Sequence, residues 1–213
     1  MIQTPSPNFG PRKATASPSL VVLHYTAMTS AQAALDRLCD PAAEVSAHYL
    51  IEAGGAIHQL VPETMRAWHA GQGSWRGTAD VNSQSIGIEL DNRGDHPFSN
   101  LQMTTLECLL GDILSRWSIP PGNVIAHADM APDRKLDPGP RFDWRRLALS
   151  GLSVWPDDNP DTPQDWSTEA TRFGYPNVPE AFAAFRARFR PWATGPCDDE
   201  DRRILARLNR ATA

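Results

Sequence analysis

The chain has 213 residues, of which 41% are hydrophobic and 21% charged, and its formal net charge is −5. A chain of this length and apolar content can bury a sizeable core, so we expect one fair-sized domain or a domain with a small module. The acidic balance and the lack of a basic stripe argue against nucleic acid as a partner. No stretch approaches the ~20 apolar residues of a membrane helix, so we expect no membrane insertion.

The first half of the chain alternates short apolar runs with a helical pattern. Residues 1–18 are rich in proline and predict an irregular N-terminal arm. Residues 20–23 (LVVL) form a continuous β-branched and apolar run, which predicts a buried strand that ends at His24. A helical pattern follows over 31–38, and residues 46–60 predict a hairpin around Ala-Gly-Gly.

The same alternation continues towards the middle of the chain. Residues 85–90 (SIGIEL) predict a half-buried strand that carries Glu89 on the face opposite its aliphatic side chains. A Ser-x-x-Gln capping box at Ser99 precedes a helix with an apolar stripe. Residues 124–126 predict another strand, which ends at His127. We therefore expect an α/β fold with a mixed central sheet flanked by helices.

A change of composition separates the last quarter of the chain. Residues 155–166 (WPDDNPDTPQDW) combine prolines and aspartates, which predicts a linker after a main domain at 19–154. Residues 167–213 predict a small module with a thin core, which we expect to lean on the main domain. Three helices are predicted in this module, over 168–173, 179–189 and 198–209.

Two histidines and an aspartate form the most informative pattern. His24 and His127 each follow an apolar strand, at the sheet edge where sites tend to collect. Asp137 lies ten residues after His127, where Pro138 and Gly139 indicate a loop. Two imidazoles and a carboxylate are a usual ligand set of catalytic zinc, with one position left for water. Spacing alone leaves the alternative open, because a histidine that ends a strand is more often packed or on the surface than a ligand.

Five ordered segments carry a family resemblance: LHYTA (23–27), SAHYLI (46–51), AWHAG (67–71), SIGIELDN (85–92) and AHADMAPDRKLDPGP (126–140). Together they resemble the type 2 N-acetylmuramoyl-L-alanine amidase family, which includes the peptidoglycan recognition proteins. The resemblance implies that family's mixed-sheet fold and a zinc-dependent enzyme. It also implies the reaction, which is hydrolysis of the amide bond between N-acetylmuramic acid and L-alanine in muropeptides.

The resemblance assigns roles to five residues. It implies His24, His127 and Asp137 as zinc ligands, Glu89 as the catalytic glutamate and Lys135 as the catalytic lysine. Elementary chemistry agrees, because amide hydrolysis needs a base for the attacking water and a positive charge at the developing oxyanion. The alternatives are a solvated strand residue for Glu89 and a surface charge for Lys135.

Six further residues are candidates for contact with a peptidoglycan fragment: His48, Arg66, Trp68, His69, Asn92 and Arg134. Trp68 and His69 resemble the lining of the family's substrate cleft, and we expect His48 to shape the pocket rather than to bind metal. The two arginines suit a stem-peptide carboxylate, since a guanidinium offers parallel donors. The alternatives are a core tryptophan for the Trp68–His69 motif and a solvated side chain for each arginine.

The rival hypothesis from another class is a non-catalytic peptidoglycan-recognition protein that has kept the fold and lost the metal. The three implied ligands are all present, which counts against it. The C-terminal module resembles a helical peptidoglycan-binding module of the family. A helical appendage that only braces the enzyme is the alternative.

Localisation decides the natural substrate. Some family members work in the cytoplasm on recycled 1,6-anhydro-muropeptides, whereas others are exported lipoproteins. The first twenty residues contain no apolar run of signal-peptide length and no lipobox cysteine. We therefore expect a cytoplasmic enzyme of cell-wall recycling, and separately we expect a monomer. A periplasmic location is the alternative if a leader has been removed.

Overall fold

The computed structural model describes residues 1–13, 17–159 and 161–212. Its strands are β1 (Ile2–Gln3), β2 (Phe9–Pro11), β3 (Leu20–Tyr25), β4 (Tyr49–Ile51), β5 (Ile57–Gln59), β6 (Met65–Ala67), β7 (Ser85–Leu90) and β8 (Val124–Ala126). Its helices are α1 (Ala31–Cys39), α2 (Val81–Gln84), α3 (Asn100–Trp117), α4 (His127–Met130), α5 (Trp144–Leu149), α6 (Trp166–Phe173), α7 (Ala181–Phe189) and α8 (Asp199–Ala211).

Six strands form the central sheet, in the order β1-β5-β4-β7-β3-β8. The three neighbours β7, β3 and β8 run parallel, β4 is parallel to β7, and the β4–β5 hairpin is antiparallel. The predicted mixed α/β fold is therefore confirmed. The carboxyl ends of β3, β7 and β8 lie along one edge of the sheet, which is the usual place for a site in such a fold.

The central strand β7 differs from its prediction. It lies between β4 and β3 and is buried on both faces, although its alternation predicted a half-buried strand. The second face is covered because the ring of His69 lies against Gly87, where a Cβ atom would come within 2.4 Å of the His69 Cγ. The sequence of β7 could not reveal a cover that is supplied by a distant loop.

The N-terminal arm is not wholly irregular, so that prediction is wrong in part. Strand β1 pairs with β5, and β2 pairs with β6 in a separate two-stranded sheet. Proline is tolerated in such short edge strands because their outer amide groups need no partner. The side chain of Arg12 anchors the arm by donating to the carbonyl oxygens of Glu63, Ser83 and Ser85 at 2.6, 2.8 and 3.1 Å.

Helix α3 begins at the predicted cap, but only half of the capping box forms. The Ser99 hydroxyl accepts a hydrogen bond from the Gln102 amide at 3.1 Å. The Gln102 side chain does not return to Ser99; it donates to the carbonyl oxygens of Ile51 and Asp91 at 2.9 and 3.2 Å. The cap therefore ties the start of α3 to the ends of β4 and β7.

The three predicted C-terminal helices are confirmed as α6, α7 and α8. Their aromatic side chains join the same apolar core as the main domain, since Trp75 packs edge-to-face on Phe173 and Tyr175 with ring centroids 5.8 and 5.4 Å apart. Residues 155–159 and 161–165 contain no helix or strand, whereas Trp166, the last residue of the predicted linker, begins α6. Among the described residues, no helix is both long and apolar enough to cross a membrane.

Candidate metal centre and active-site cleft

The structure brings the three predicted metal ligands together at the carboxyl edge of the sheet. His24 lies near the end of β3, His127 begins α4 directly after β8, and Asp137 lies in the loop that follows α4. The Nδ1 atoms of the two histidines are 2.9 Å apart, and each is 3.0 Å from Oδ2 of Asp137. All three side chains are buried. They are thus close enough to share one ion.

The second ring nitrogen of His127 defines which tautomer this residue adopts. Its Nε2 lies 2.9 Å from the carbonyl oxygen of Ala70. A carbonyl oxygen only accepts, so Nε2 carries the proton and donates. In the neutral ring, Nδ1 then presents a lone pair to the centre. A histidine that binds a metal is typically oriented in this way by its other nitrogen.

A chain of hydrogen bonds fixes His24 in the same manner. The Ser85 hydroxyl donates to the Val81 carbonyl oxygen at 2.6 Å, so its oxygen accepts from Nε2 of His69 at 3.1 Å. The Nδ1 of His69 then accepts from Nε2 of His24 at 3.0 Å. The Nδ1 of His24 is left with its lone pair facing the centre. Gly87 makes this chain possible because any larger residue would collide with the His69 ring.

Three lone pairs therefore converge on one small volume. The two Nδ1 atoms and the carboxylate oxygen of Asp137 repel each other unless a cation lies among them. Ligand atoms bound at about 2.0–2.1 Å around tetrahedral zinc are roughly 3.3 Å apart, close to the 2.9–3.0 Å seen here. The donor set and its spacing fit a zinc site with an open fourth position.

The electrostatic environment supports this assignment. Burial lowers the pKa of His24 to about 4, and the charge of His127 acts in the same direction, so the His24 ring is neutral at pH 7. Burial also lowers the pKa of His69 well below its ordinary value, with the charge of His24 as the second cause. Neutral rings are what the hydrogen-bond chain requires.

Glu89 lies beside the three ligands and has an unusual environment. It is paired with His24 across β3 and β7, and its Oε2 atom is buried without a hydrogen-bond partner among the described residues. Burial raises the pKa of its carboxyl group to about 8, and the charge of Asp137 adds to this effect. An unpartnered buried carboxyl oxygen is costly to keep, which marks the group as a candidate for chemistry.

A cleft with a volume of 410 Å³ opens over the ligands. Five of the predicted site residues line it beside the metal ligands, namely Glu89, Lys135, Trp68, His69 and Arg134. The ammonium group of Lys135 makes no hydrogen bond to any residue that the structure describes, so it is available to a substrate. The cleft wall also contains side chains that sequence reasoning missed because they carry no pattern of their own, among them Met28 and Arg37.

The side chains of His48 and Arg134 both form hydrogen bonds to backbone groups that surround the metal centre. His48 is fully buried, accepts from the Gly87 amide at 3.0 Å and contacts the Met65 carbonyl oxygen at 3.1 Å, so it shapes the floor beneath His69. Arg134 lines the cleft, but its guanidinium donates to the carbonyl oxygens of Ala70 and Gln72. Its predicted contact with a stem-peptide carboxylate stays a prediction.

Arg66 and Asn92 are not among the residues that line the cleft. Arg66 pairs with Asp80, with 3.3 Å between Nη2 and Oδ1. Asn92 is buried and serves its own loop, since its Oδ1 accepts from the Gly94 amide at 2.7 Å. The structure therefore does not bring these two predicted substrate contacts to the site. Their side chains are occupied by neighbours that the sequence did not identify.

The fold and the site together define a class, which is an α/β protein with a His-His-Asp centre of the kind that holds a catalytic divalent metal. Comparison with known proteins identifies the family. A family model described as N-acetylmuramoyl-L-alanine amidase matches residues 14–140. The chain belongs to this family, so the predicted resemblance and the predicted enzyme class are confirmed.

Two relatives and one solved structure show how far the similarity extends. The N-acetylmuramoyl-L-alanine amidase AmiD of Escherichia coli (strain K12) is 39% identical over an alignment of 227 positions, gaps included, which spans 89% of this chain and 81% of AmiD. The 1,6-anhydro-N-acetylmuramyl-L-alanine amidase AmpD of Citrobacter freundii is 35% identical over 162 residues, covering 68% of this chain and 87% of AmpD. The complex of E. coli AmiD with the substrate anhydro-N-acetylmuramic acid-L-Ala-D-gamma-Glu-L-Lys has a TM-score of 0.83 at 38% identity. That match covers 94% of this chain and 93% of the AmiD chain.

The hydrogen-bond chain to His24 predicts that Gly87→Ala weakens Zn²⁺ binding. The new methyl group displaces the His69 ring, which then no longer holds His24, and we expect about a tenfold loss of affinity. Gly111→Ala is the matched control, because a Cβ there meets only Leu152 Cδ2 at 3.9 Å. Competition against a chromophoric chelator measures both. Equal affinities for the two variants would show that His69 does not orient His24.

Proposed function

We propose that the chain is a zinc-dependent amidase of cell-wall recycling. It would hydrolyse the amide bond between 1,6-anhydro-N-acetylmuramic acid and L-alanine of muropeptides. The convergence of three lone pairs beside the unpartnered carboxyl oxygen of Glu89 is the observation that carries this proposal. AmiD is described in complex with an anhydro-muramyl tripeptide, and AmpD is named for the anhydro substrate, which supports the same substrate class here.

His24, His127 and Asp137 would hold the zinc ion through Nδ1, Nδ1 and Oδ2. When bound there, zinc polarises an amide carbonyl group and lowers the pKa of a water molecule. The zinc ion together with two neutral imidazoles and one carboxylate would carry a net charge of about +1. This positive charge would preserve much of the Lewis acidity of the ion. A second carboxylate ligand would weaken that effect.

Glu89 is proposed as the proton carrier. Its Oε2 has no protein partner among the described residues, and the carboxyl group borders the cleft beside the ligands. In its ionised form, which the positive charge of Lys135 favours by lowering the pKa of Glu89, it can accept a proton from the attacking water. It can then return that proton to the leaving nitrogen of L-alanine. A carboxyl group that was committed to an arginine, as Glu63 is to Arg116 at 2.7 Å, could not do both.

Lys135 is proposed to stabilise the oxyanion of the tetrahedral intermediate. It borders the cleft two residues before Asp137, and its backbone amide donates to the Ala131 carbonyl oxygen at 3.0 Å, which fixes its place in the loop. A cation aimed at the developing negative charge favours the transition state over the bound substrate.

A location of the enzyme in the cytoplasm stays a prediction.

The proposed ligand set predicts that His127→Ala loses zinc and activity together, while chelation of the natural chain abolishes hydrolysis until Zn²⁺ is returned. His58→Ala is the matched control. His58 is also a buried histidine, but it bonds Thr4 and Glu52 away from the centre at 2.9 and 2.7 Å. Zinc content and release of L-alanyl peptide from an anhydro-muropeptide measure the outcome. Hydrolysis that survives exhaustive chelation would exclude the metal mechanism, and muropeptide binding without any cleavage would favour the recognition protein.

The proposed roles of Glu89 and Lys135 predict variants that keep the metal but lose turnover. We expect Lys135→Ala to lower kcat by about 10²–10³, as for removal of an oxyanion donor. Glu89→Gln should lower kcat by about 10²–10⁴, as for loss of a general base. Lys13→Ala, at the only other lysine, is the control because its side chain is exposed outside the cleft. Normal turnover of a zinc-loaded variant would remove the role assigned to that residue.

A further inference from the structure

A buried carboxylate lies two residues after His127. Asp129 belongs to α4 and is fully buried. Its Oδ2 accepts from the Ala126 amide at 2.9 Å, which caps the helix, and its Oδ1 accepts from the hydroxyl of Tyr175 at 2.8 Å. The guanidinium of Arg188 completes the set by pairing with Oδ2. Two of these three partners come from the C-terminal part of the chain, beyond the predicted linker.

Arg188 also contacts the chain on the other side of His127. Its Nη2 donates to the carbonyl oxygen of Val124, at the start of β8, at 2.9 Å. Its guanidinium lies over the ring of Trp144, with 4.1 Å between Cζ and the ring centroid. One side chain of α7 is thus bonded to residues 124 and 129, and His127 lies between them.

Helix α4 positions a second ligand as well. The backbone amide of Ala128 donates to the carbonyl oxygen of Asp137 at 3.0 Å. A shift of α4 would therefore move His127 directly and Asp137 through this bond. Two of the three candidate ligands depend on the placement of one short helix.

Helix α4 cannot define its own position. It spans only His127–Met130, and a single turn has too few internal hydrogen bonds to be stable alone. Its position must therefore be set by contacts with the rest of the protein, and Asp129 makes three of these contacts. Loss of the arginine would leave that carboxylate buried without its cation, a strongly unfavourable state.

We propose that Arg188, assisted by Tyr175, is a positioning residue for the metal centre. The C-terminal helices would then hold α4, which carries His127, in place. This role would be additional to any role that they have in binding peptidoglycan. The inference rests on the proposed zinc site. It predicts that a substitution at Arg188 changes metal binding, whereas an equally disruptive substitution elsewhere in α7 does not.

Arg186 is a matched control on the same helix. It pairs with buried Asp201, with 2.6 Å between Nη2 and Oδ2, and donates to the carbonyl oxygens of Gly195 and Pro196. All of these partners lie within the C-terminal module. Arg186→Met therefore removes a buried ion pair of the same type without touching α4.

The test compares Arg188→Met, Arg186→Met and Tyr175→Phe in the full chain. Zn²⁺ affinity is measured by chelator competition, and the visible absorption of the Co²⁺-loaded protein reports the coordination geometry. We expect Arg188→Met to weaken zinc by about tenfold and to shift the cobalt bands, as for a partner that orients metal ligands. Arg186→Met should keep the natural affinity and spectrum.

Tyr175→Phe decides the matter if Arg188→Met does not fold. It removes one hydrogen bond to Asp129 and keeps the ring against Trp75, so we expect a folded protein with a weaker zinc affinity and shifted cobalt bands. Natural affinity and spectrum in the folded variants at both positions would overturn the inference. A natural chain that binds no zinc would instead contradict the proposed function, so the two failures are distinguishable.

Discussion

Two imidazole lone pairs and one carboxylate oxygen meet at the carboxyl edge of the sheet, with 2.9–3.0 Å between them. Such an arrangement is repulsive without a cation, so the fold must hold it against its own electrostatics. It does so by giving each ring nitrogen that faces away from the centre a fixed acceptor. Much of the surrounding structure can be understood as support for that one convergence.

The support comes from three parts of the chain. The parallel strands β3 and β8 bring His24 and His127 to the same edge, and the loop at residues 67–71 supplies the acceptors that fix their tautomers. The third part is the C-terminal module, whose Arg188 bonds the chain on both sides of His127. The enzyme class of the family and the local chemistry agree, because a metal with one open position and a nearby carboxyl group suits amide hydrolysis.

The sequence predicted those features that follow from short-range pattern or from motif. Apolar runs placed β3 and β8, and the motifs around them identified the family and the three converging side chains. The sequence could not predict that the lack of a side chain at Gly87 makes room for the His69 ring. Nor could it predict that Ser85 ends a hydrogen-bond chain from His24. The pairing of Arg188 with Asp129 spans 59 positions and leaves no periodic signal. Arg66 and Asn92 do not line the cleft. Their side chains bond Asp80 and the Gly94 amide, and neither contact leaves a pattern in the sequence.

The central claim is that one divalent ion is held by these three atoms, and anomalous diffraction at the zinc absorption edge tests it most directly. Crystals of the zinc-loaded protein should show a single strong peak at about 2.0–2.2 Å from Nδ1 of His24, Nδ1 of His127 and Oδ2 of Asp137. A peak coordinated by other residues, or no peak from protein that carries one equivalent of zinc, would contradict the account.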